Sequence, residues 1–95
     1  MKVVSHVTAA PHEVGPLLEL LLKVGGATCQ EPGCVSYEVF ENVQDPTDIT
    51  VISEFTDQRA YEEHFGQPYM IDMLGELPSL TTGEIESRVL KAVDD

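Results

Sequence analysis

The segment EFTDQRAYEEHF, residues 54–65, contains two side chains that could carry out acid–base chemistry. Histidine is the side chain whose ordinary pKa lies closest to neutrality, so His64 is a candidate general base. Glu54 ends an apolar run, where burial of a carboxylate is costly unless it is paired or protonated. We predict that Glu54 pairs with His64 or with a substrate hydroxyl, the alternative being that it ends the strand at a solvated rim.

His64 lies on the apolar side of its predicted helix. On a helical wheel Ala60, Tyr61 and Phe65 fall within about 140° of one another together with His64, and the charged residues take the other side. We therefore expect His64 to face a pocket between helix and sheet. The alternative is a core histidine held by one hydrogen bond.

Further side chains could line that pocket and bind a substrate. These candidates are His6, Tyr37, Tyr61, Phe65, Tyr69, Met70 and Met73. The simpler interpretation of His6 and Tyr37 is a core or rim position. Tyr69, Met70 and Met73 have helical spacing, which is typical of a pocket wall or of core.

The sequence lacks phosphate-binding glycine loops, metal-ligand spacings and nucleophile motifs. Chemistry, if present, must therefore use the electrons of the substrate. An electron-rich phenol or quinol, once deprotonated, can pass an electron to dioxygen in a dry apolar pocket. His64 would be the base in such a reaction, and Glu54 would orient its ring.

The elements that must position these residues follow from hydrophobic periodicity. Residues 2–10 predict a strand, and a leucine-rich helix begins near His12 or Glu13 and closes at the EPG turn, 31–33. Residues 34–43 and 49–56 predict an antiparallel hairpin around a turn at 44–48.

The second half of the chain predicts two helical stretches and a last strand. Thr56 or Asp57 caps the first stretch, which Gly66 interrupts, and the second begins at Pro68 and ends near Leu77. Residues 81–93 predict the strand.

The predicted order is strand, helix, strand, strand, helix, strand. This is the ferredoxin-like βαββαβ arrangement of the α+β class, in which an antiparallel sheet carries its helices on one face. We expect residues 1–95 to form a single domain. Because both faces of the middle strands are substantially apolar, we predict a homodimer that packs sheet against sheet.

The charge balance excludes some partners. The chain has 17 acidic and 5 basic residues and a net charge of -12, which repels nucleic acid and anionic membrane surfaces. No apolar run approaches membrane-spanning length, so we predict a cytoplasmic protein with no membrane partner. Cys29 and Cys34 lack further zinc ligands nearby and are expected to be free thiols.

Three stretches carry a family resemblance: EPGCVSYEVFEN, ITVISEFTDQRAYEEHF and PYMIDML. They resemble the antibiotic biosynthesis monooxygenase family of dimeric α/β barrels, some of which oxidise quinols or polyketide phenols without a cofactor. The resemblance implies a cofactor-independent monooxygenase acting on a small aromatic or quinol-like ligand. The alternatives are an isomerase or another acid–base enzyme using the same pocket, and a non-catalytic protein that binds a small ligand.

One departure from the family bears on the cofactor. Many relatives have a tryptophan where Phe55 stands, and this chain has no tryptophan. The haem-degrading branch combines an Asn on the first strand with a Trp and a haem-ligating His, whereas the first strand here offers His6. Haem is therefore disfavoured, and we expect neither a metal nor an organic cofactor.

Overall fold

Four strands and three helices form the computed structural model, which describes residues 1–93. In chain order they are β1 (Lys2–Ala9), α1 (Val14–Thr28), β2 (Cys34–Asn42), β3 (Asp45–Phe55), α2 (Gln58–Phe65), α3 (Pro68–Leu80) and β4 (Thr81–Leu90). The strands form one antiparallel sheet in the order β2-β3-β1-β4. This topology confirms the predicted ferredoxin-like fold of the α+β class.

The three helices begin at the positions that the sequence predicts. Asp57 caps α2, because its Oδ1 accepts a hydrogen bond from the backbone N–H of Ala60 at 2.9 Å. Pro68 occupies the first turn of α3, where its missing N–H costs no helical hydrogen bond. The N-cap of α1 is Glu13, at one of the two predicted positions.

Several predicted ends are displaced. The hairpin turn is shorter than 44–48: Asn42 Oδ1 accepts from the N–H of Gln44 at 2.9 Å, and β3 begins at Asp45. Helix α1 ends at Thr28, before the EPG turn, and β4 ends at Leu90 rather than 93. Helix α3 continues past Leu77 because the Thr81 hydroxyl closes its last turn by donating to the Leu77 carbonyl at 2.9 Å.

The core lies between the helices and one face of the sheet. Its buried residues are Leu17, Leu21 and Val24 of α1, Met70, Met73 and Leu77 of α3, and Val7, Ala9 and Ile49 of the sheet. Because side chains alternate along a strand, the residues between the buried ones point to the opposite face. That open face carries half-buried Val4 and Ile52, together with Phe40 and Leu90, which are 43% and 47% exposed.

Both cysteines are free, as predicted. Burial, and secondarily the neighbouring Cys29 thiol, raises the pKa of Cys34 to about 11. Within residues 1–93 no three His, Cys, Asp or Glu side chains are grouped so as to hold a metal ion. The helices in this same range are too short or too polar to cross a bilayer.

Candidate active site

A cavity of about 160 Å³ lies between the sheet and helices α2 and α3. Most of its wall is apolar, and the lining includes Val51, Phe55, Met70, Met73 and Leu77. Phe65, Leu74 and Ile85 also line it but are about 40% exposed. The cavity therefore opens to solvent between the α2–α3 layer and the edge strand β4.

His64 enters this cavity from α2 and is 95% buried. Its ring packs between those of Phe55 and Phe65, with centroid separations of 5.1 and 5.3 Å. Its Nδ1 lies 2.8 Å from Glu31 Oε2, and the two side chains are 7% and 12% exposed. The predicted inward orientation of His64 is therefore confirmed.

The two ring nitrogens of His64 have different surroundings. Because the carboxylate of Glu31 can only accept, Nδ1 carries the proton of that hydrogen bond and Nε2 keeps its lone pair. Nε2 bonds to no described residue, yet no buried side-chain nitrogen or oxygen within residues 1–93 lacks a partner. Nε2 therefore keeps accessible surface, as expected of a group in the cavity wall.

Glu31 belongs to the turn between α1 and β2, which the sequence reads EPG. The turn is fixed by backbone hydrogen bonds from Glu31 to Thr28 and from Cys34 back to Glu31, at 3.0 and 3.1 Å. The same oxygen that binds His64 also accepts from the Tyr69 hydroxyl. One carboxylate thus holds α2 and α3 against the turn and orients the imidazole.

Gly33 explains why this turn can approach α2. A Cβ at this position would lie 2.3 Å from the Cβ of Ala60, far inside van der Waals contact. The N–H of Thr56 also donates to the Gly33 carbonyl at 2.9 Å. The absence of a side chain at Gly33 lets the first turn of α2 sit directly on the loop that carries Glu31.

The prediction that Glu54 faces His64 was wrong. In β3 the neighbouring Ser53 and Phe55 are buried and line the cavity, so Glu54 points to the open face of the sheet. There it lies directly opposite Lys2 of β1 and Ser36 of β2. The carboxylate partner of His64 is Glu31, which the sequence reasoning did not select.

His6 is also on the open face, outside the cavity. Its Nδ1 lies 2.9 Å from the Thr50 hydroxyl and 3.7 Å from Asp48 Oδ1, and its side chain is half exposed. Because the strand alternates, Ser5 and Val7 take the inward positions on either side of it. The expectation that His6 contacts a substrate in this pocket is therefore not met.

Of the other six predicted substrate-binding residues, five line the cavity and Tyr69 does not. Tyr37, Tyr61, Phe65, Met70 and Met73 line the cavity. The Tyr61 ring packs edge-on against Phe55 and Phe65, at 6.0 and 5.0 Å.

Two tyrosines have more specific surroundings. Tyr69 is outside the cavity lining and touches the site through Glu31. Burial raises the pKa of Tyr37 to about 12, and its ring fills the space that a side chain at Gly25 would occupy, 2.6 Å from an added Cβ.

The sequence reasoning also missed three serines of the cavity wall, Ser5, Ser53 and Ser87. Each lies at the inward position between two apolar inward residues of its strand, as in Val51-Ile52-Ser53-Glu54-Phe55. That period of two is a signal that could have identified them. For Glu31, the sequence feature that could have identified it is its position in the EPG turn, directly before β2.

Comparison with known proteins identifies a family and a fold. The family described as "Antibiotic biosynthesis monooxygenase" matches residues 1–74. Curated proteins gave no significant match.

The fold is shared with several solved structures. Rv0793 from Mycobacterium tuberculosis has a TM-score of 0.92 at 23% identity, covering 99% of this chain and 95% of its own. A structure described as an antibiotic biosynthesis monooxygenase has a TM-score of 0.90 at 23% identity and 97% coverage of both chains. PA3566 from Pseudomonas aeruginosa has a TM-score of 0.84 at 21% identity, covering 96% of this chain and 93% of its own.

Proposed function

Because the chain belongs to the antibiotic biosynthesis monooxygenase family, we propose that it is a monooxygenase that oxidises a small phenol or quinol with dioxygen and needs no cofactor. The observation that carries this proposal is the buried His64, hydrogen-bonded to Glu31 on one side and open to an apolar cavity on the other. The sequence-based assignment of His64 as the base is kept, and Glu31 takes the orienting role first given to Glu54.

The first step is removal of a proton from the substrate. A phenolic O–H in the cavity donates its proton to Nε2 of His64, and the resulting imidazolium is stabilised by the carboxylate of Glu31. The apolar wall leaves the phenolate poorly solvated and therefore electron-rich. Glu31 also borders an outer groove of about 420 Å³, shared with Arg59 and Glu63, which gives the pair a side facing solvent.

Oxygen then reacts with the bound anion. The phenolate passes one electron to dioxygen, and recombination of the two radicals forms a carbon–oxygen bond to the ring. The peroxide anion takes back the proton held by His64, which restores the neutral imidazole and gives a hydroperoxide. Loss of water from the resulting hydroperoxide leaves a quinone carbonyl. One oxygen atom enters the product and the other leaves as water, together with the O–H and C–H hydrogens of the phenol, so atoms and electrons balance.

Oxygen consumption tests this proposal. Purified protein is mixed with one-ring phenols and quinols, without added flavin, haem or metal, and dioxygen uptake is compared with quinone formation. The proposal predicts one dioxygen consumed per quinone formed, one oxygen atom from dioxygen in that quinone, and no hydrogen peroxide. Binding of the compounds without dioxygen uptake would favour the non-catalytic alternative, and rearrangement of a ligand under nitrogen would favour an isomerase. Both outcomes overturn the monooxygenase proposal.

We also propose that the chain acts as a homodimer. On the open face, Lys2 and Arg88 lie on β1 and β4, whereas Glu38 and Glu54 lie on β2 and β3. A twofold axis parallel to the strands would place each half of one sheet over the opposite half of the other, which pairs these charges and covers the exposed apolar residues. Light scattering should give about twice 10.4 kDa, and a stable monomer at micromolar concentration contradicts this arrangement.

A further inference from the structure

The cavity has a second polar region, separate from His64. His64 belongs to the helix layer, whereas Ser5, Ser53 and Ser87 project from three neighbouring strands of the sheet. Ser5 lies directly opposite Ser87 in the β1–β4 pairing, and their hydroxyl oxygens are 2.9 Å apart. A ligand that fills the cavity therefore meets polar groups from both layers.

Ser53 is the deepest of these hydroxyls. It is 94% buried, and no hydrogen bond joins its hydroxyl to any residue of the described range 1–93. Burial of a hydroxyl without a partner is unfavourable. Since no fully enclosed side-chain oxygen in that range lacks a partner, the Ser53 hydroxyl is reachable from the cavity that it lines.

The size of the cavity limits what can reach this hydroxyl. An apolar cavity of about 150 Å³ takes up one benzene molecule, and the cavity here measures about 160 Å³. Its volume therefore suits one aromatic ring. One ring that touches both layers can present an oxygen to each of them.

We propose that Ser53, extended toward the cavity mouth by Ser5 and Ser87, is a subsite that binds a second oxygen of the ligand while the first oxygen bonds to His64. The ligand class is a one-ring benzenediol or hydroxyquinone. The assignment of the first oxygen rests on the proposed function, whereas the serine subsite rests on the burial and accessibility of Ser53.

The test compares two probes that differ in one oxygen. Binding of hydroquinone and of phenol is measured by calorimetry under nitrogen, so that turnover does not interfere. One neutral hydrogen bond corresponds to roughly a 2- to 10-fold difference in affinity, so the native protein should prefer hydroquinone by about this factor. The Ser53→Ala change should abolish the preference and leave phenol affinity within about twofold. Ser79→Ala, a change of the same type on the exposed end of α3, should leave both affinities unaltered.

The remaining outcomes separate this proposal from the proposed function. A native protein without the preference, or a folded Ser53→Ala variant that retains it, overturns the subsite. If Ser53→Ala does not fold, Ser87→Ala must reduce the preference, and failure to do so overturns the subsite too. A binding preference for hydroquinone that depends on Ser53, without dioxygen uptake in air, contradicts the monooxygenase proposal but supports the subsite. Dioxygen uptake at the same rate and with the same substrate preference in Ser53→Ala as in the native protein contradicts the subsite but leaves the monooxygenase proposal in place.

Discussion

The two faces of the sheet use the same strands for different purposes. Toward the helices, β3 presents Ile49, Ser53 and Phe55, which are buried, and Val51, which is partly buried; the single polar side chain of this row lines the cavity. Away from the helices, the same strand presents Thr50, Ile52 and Glu54, all partly exposed. Polar groups on the inner face of β3 are therefore few and border the cavity, whereas those on its open face are numerous and face the proposed dimer partner.

The largest expected effect separates the two faces through their histidines. His64→Ala on the inner side removes the proposed base and should lower turnover by about 10²- to 10⁴-fold. His6→Ala on the open face should leave turnover within about twofold, because the contacts of His6 with Thr50 and Asp48 lie outside the cavity. Initial rates of dioxygen uptake with one confirmed substrate measure both variants, and circular dichroism checks that they are folded. Full activity in a folded His64→Ala variant would show that His64 is not the base and would support the alternative of a core histidine.

The second effect compares two glutamates. Glu31→Gln keeps the shape of the side chain but removes the charge that stabilises an imidazolium at His64. Loss of a charge-assisted hydrogen bond should lower kcat by roughly 10- to 100-fold with little change in KM. Glu54→Gln should change neither constant, provided that light scattering shows the same assembly. If Glu54→Gln is the more damaging variant, the assignment of the orienting carboxylate is reversed.

The fold could be predicted because its signals are local. Alternation in the strands, the leucine stripe of α1, the cap at Asp57 and the break at Gly66 each depend on residues close together in the sequence. The inward direction of His64 follows from the same periodicity. These signals were sufficient to predict the order of the helices and strands. The ends that were predicted wrongly depend on individual hydrogen bonds, such as that from the Thr81 hydroxyl to the Leu77 carbonyl, which hydrophobic periodicity does not reveal.

The partner of His64 could not be predicted from the same signals. Neither row of β3 is plainly polar in the sequence, since Ser53 and Glu54 interrupt one row each, so the pattern left the face of Glu54 undecided. The proximity of Glu31 depends on Gly33 and Ala60, which are 27 positions apart and meet only in the folded chain. Contacts between distant segments carry no periodic signature, so the pairing of His64 with Glu31 was missed although the turn and the helix that carry them were predicted.

The third effect tests that long-range contact directly. A Cβ at Gly33 would lie 2.3 Å from the Ala60 Cβ, and neither atom can rotate away. Overpacking of this kind costs roughly 1 to 3 kcal/mol, so Gly33→Ala should lower Tm and, by displacing α2 from Glu31, should also lower turnover. Gly26→Ala on the exposed side of α1 meets nothing within 4 Å. It should instead raise the free energy of unfolding by about 0.5 to 1 kcal/mol. Equal Tm values for the two variants would show that the turn does not need its glycine.

The smallest effect concerns the inner face at high pH. Burial raises the pKa of Tyr37 from 10.0 to about 12, so the unfolded chain loses this proton at lower pH than the folded protein. The contribution to stability is complete below pH 10 and is lost as the pH rises from 10 to 12, by up to about 2 kcal/mol. Cys34, raised from 9.0 to about 11, acts in the same direction from pH 9 upward. Urea unfolding at pH 8 to 12 measures this effect. Above pH 10 the free energy of unfolding should fall less steeply with pH in Tyr37→Phe than in the native protein. Parallel curves would mean that the Tyr37 hydroxyl is as well solvated as a residue of the open face.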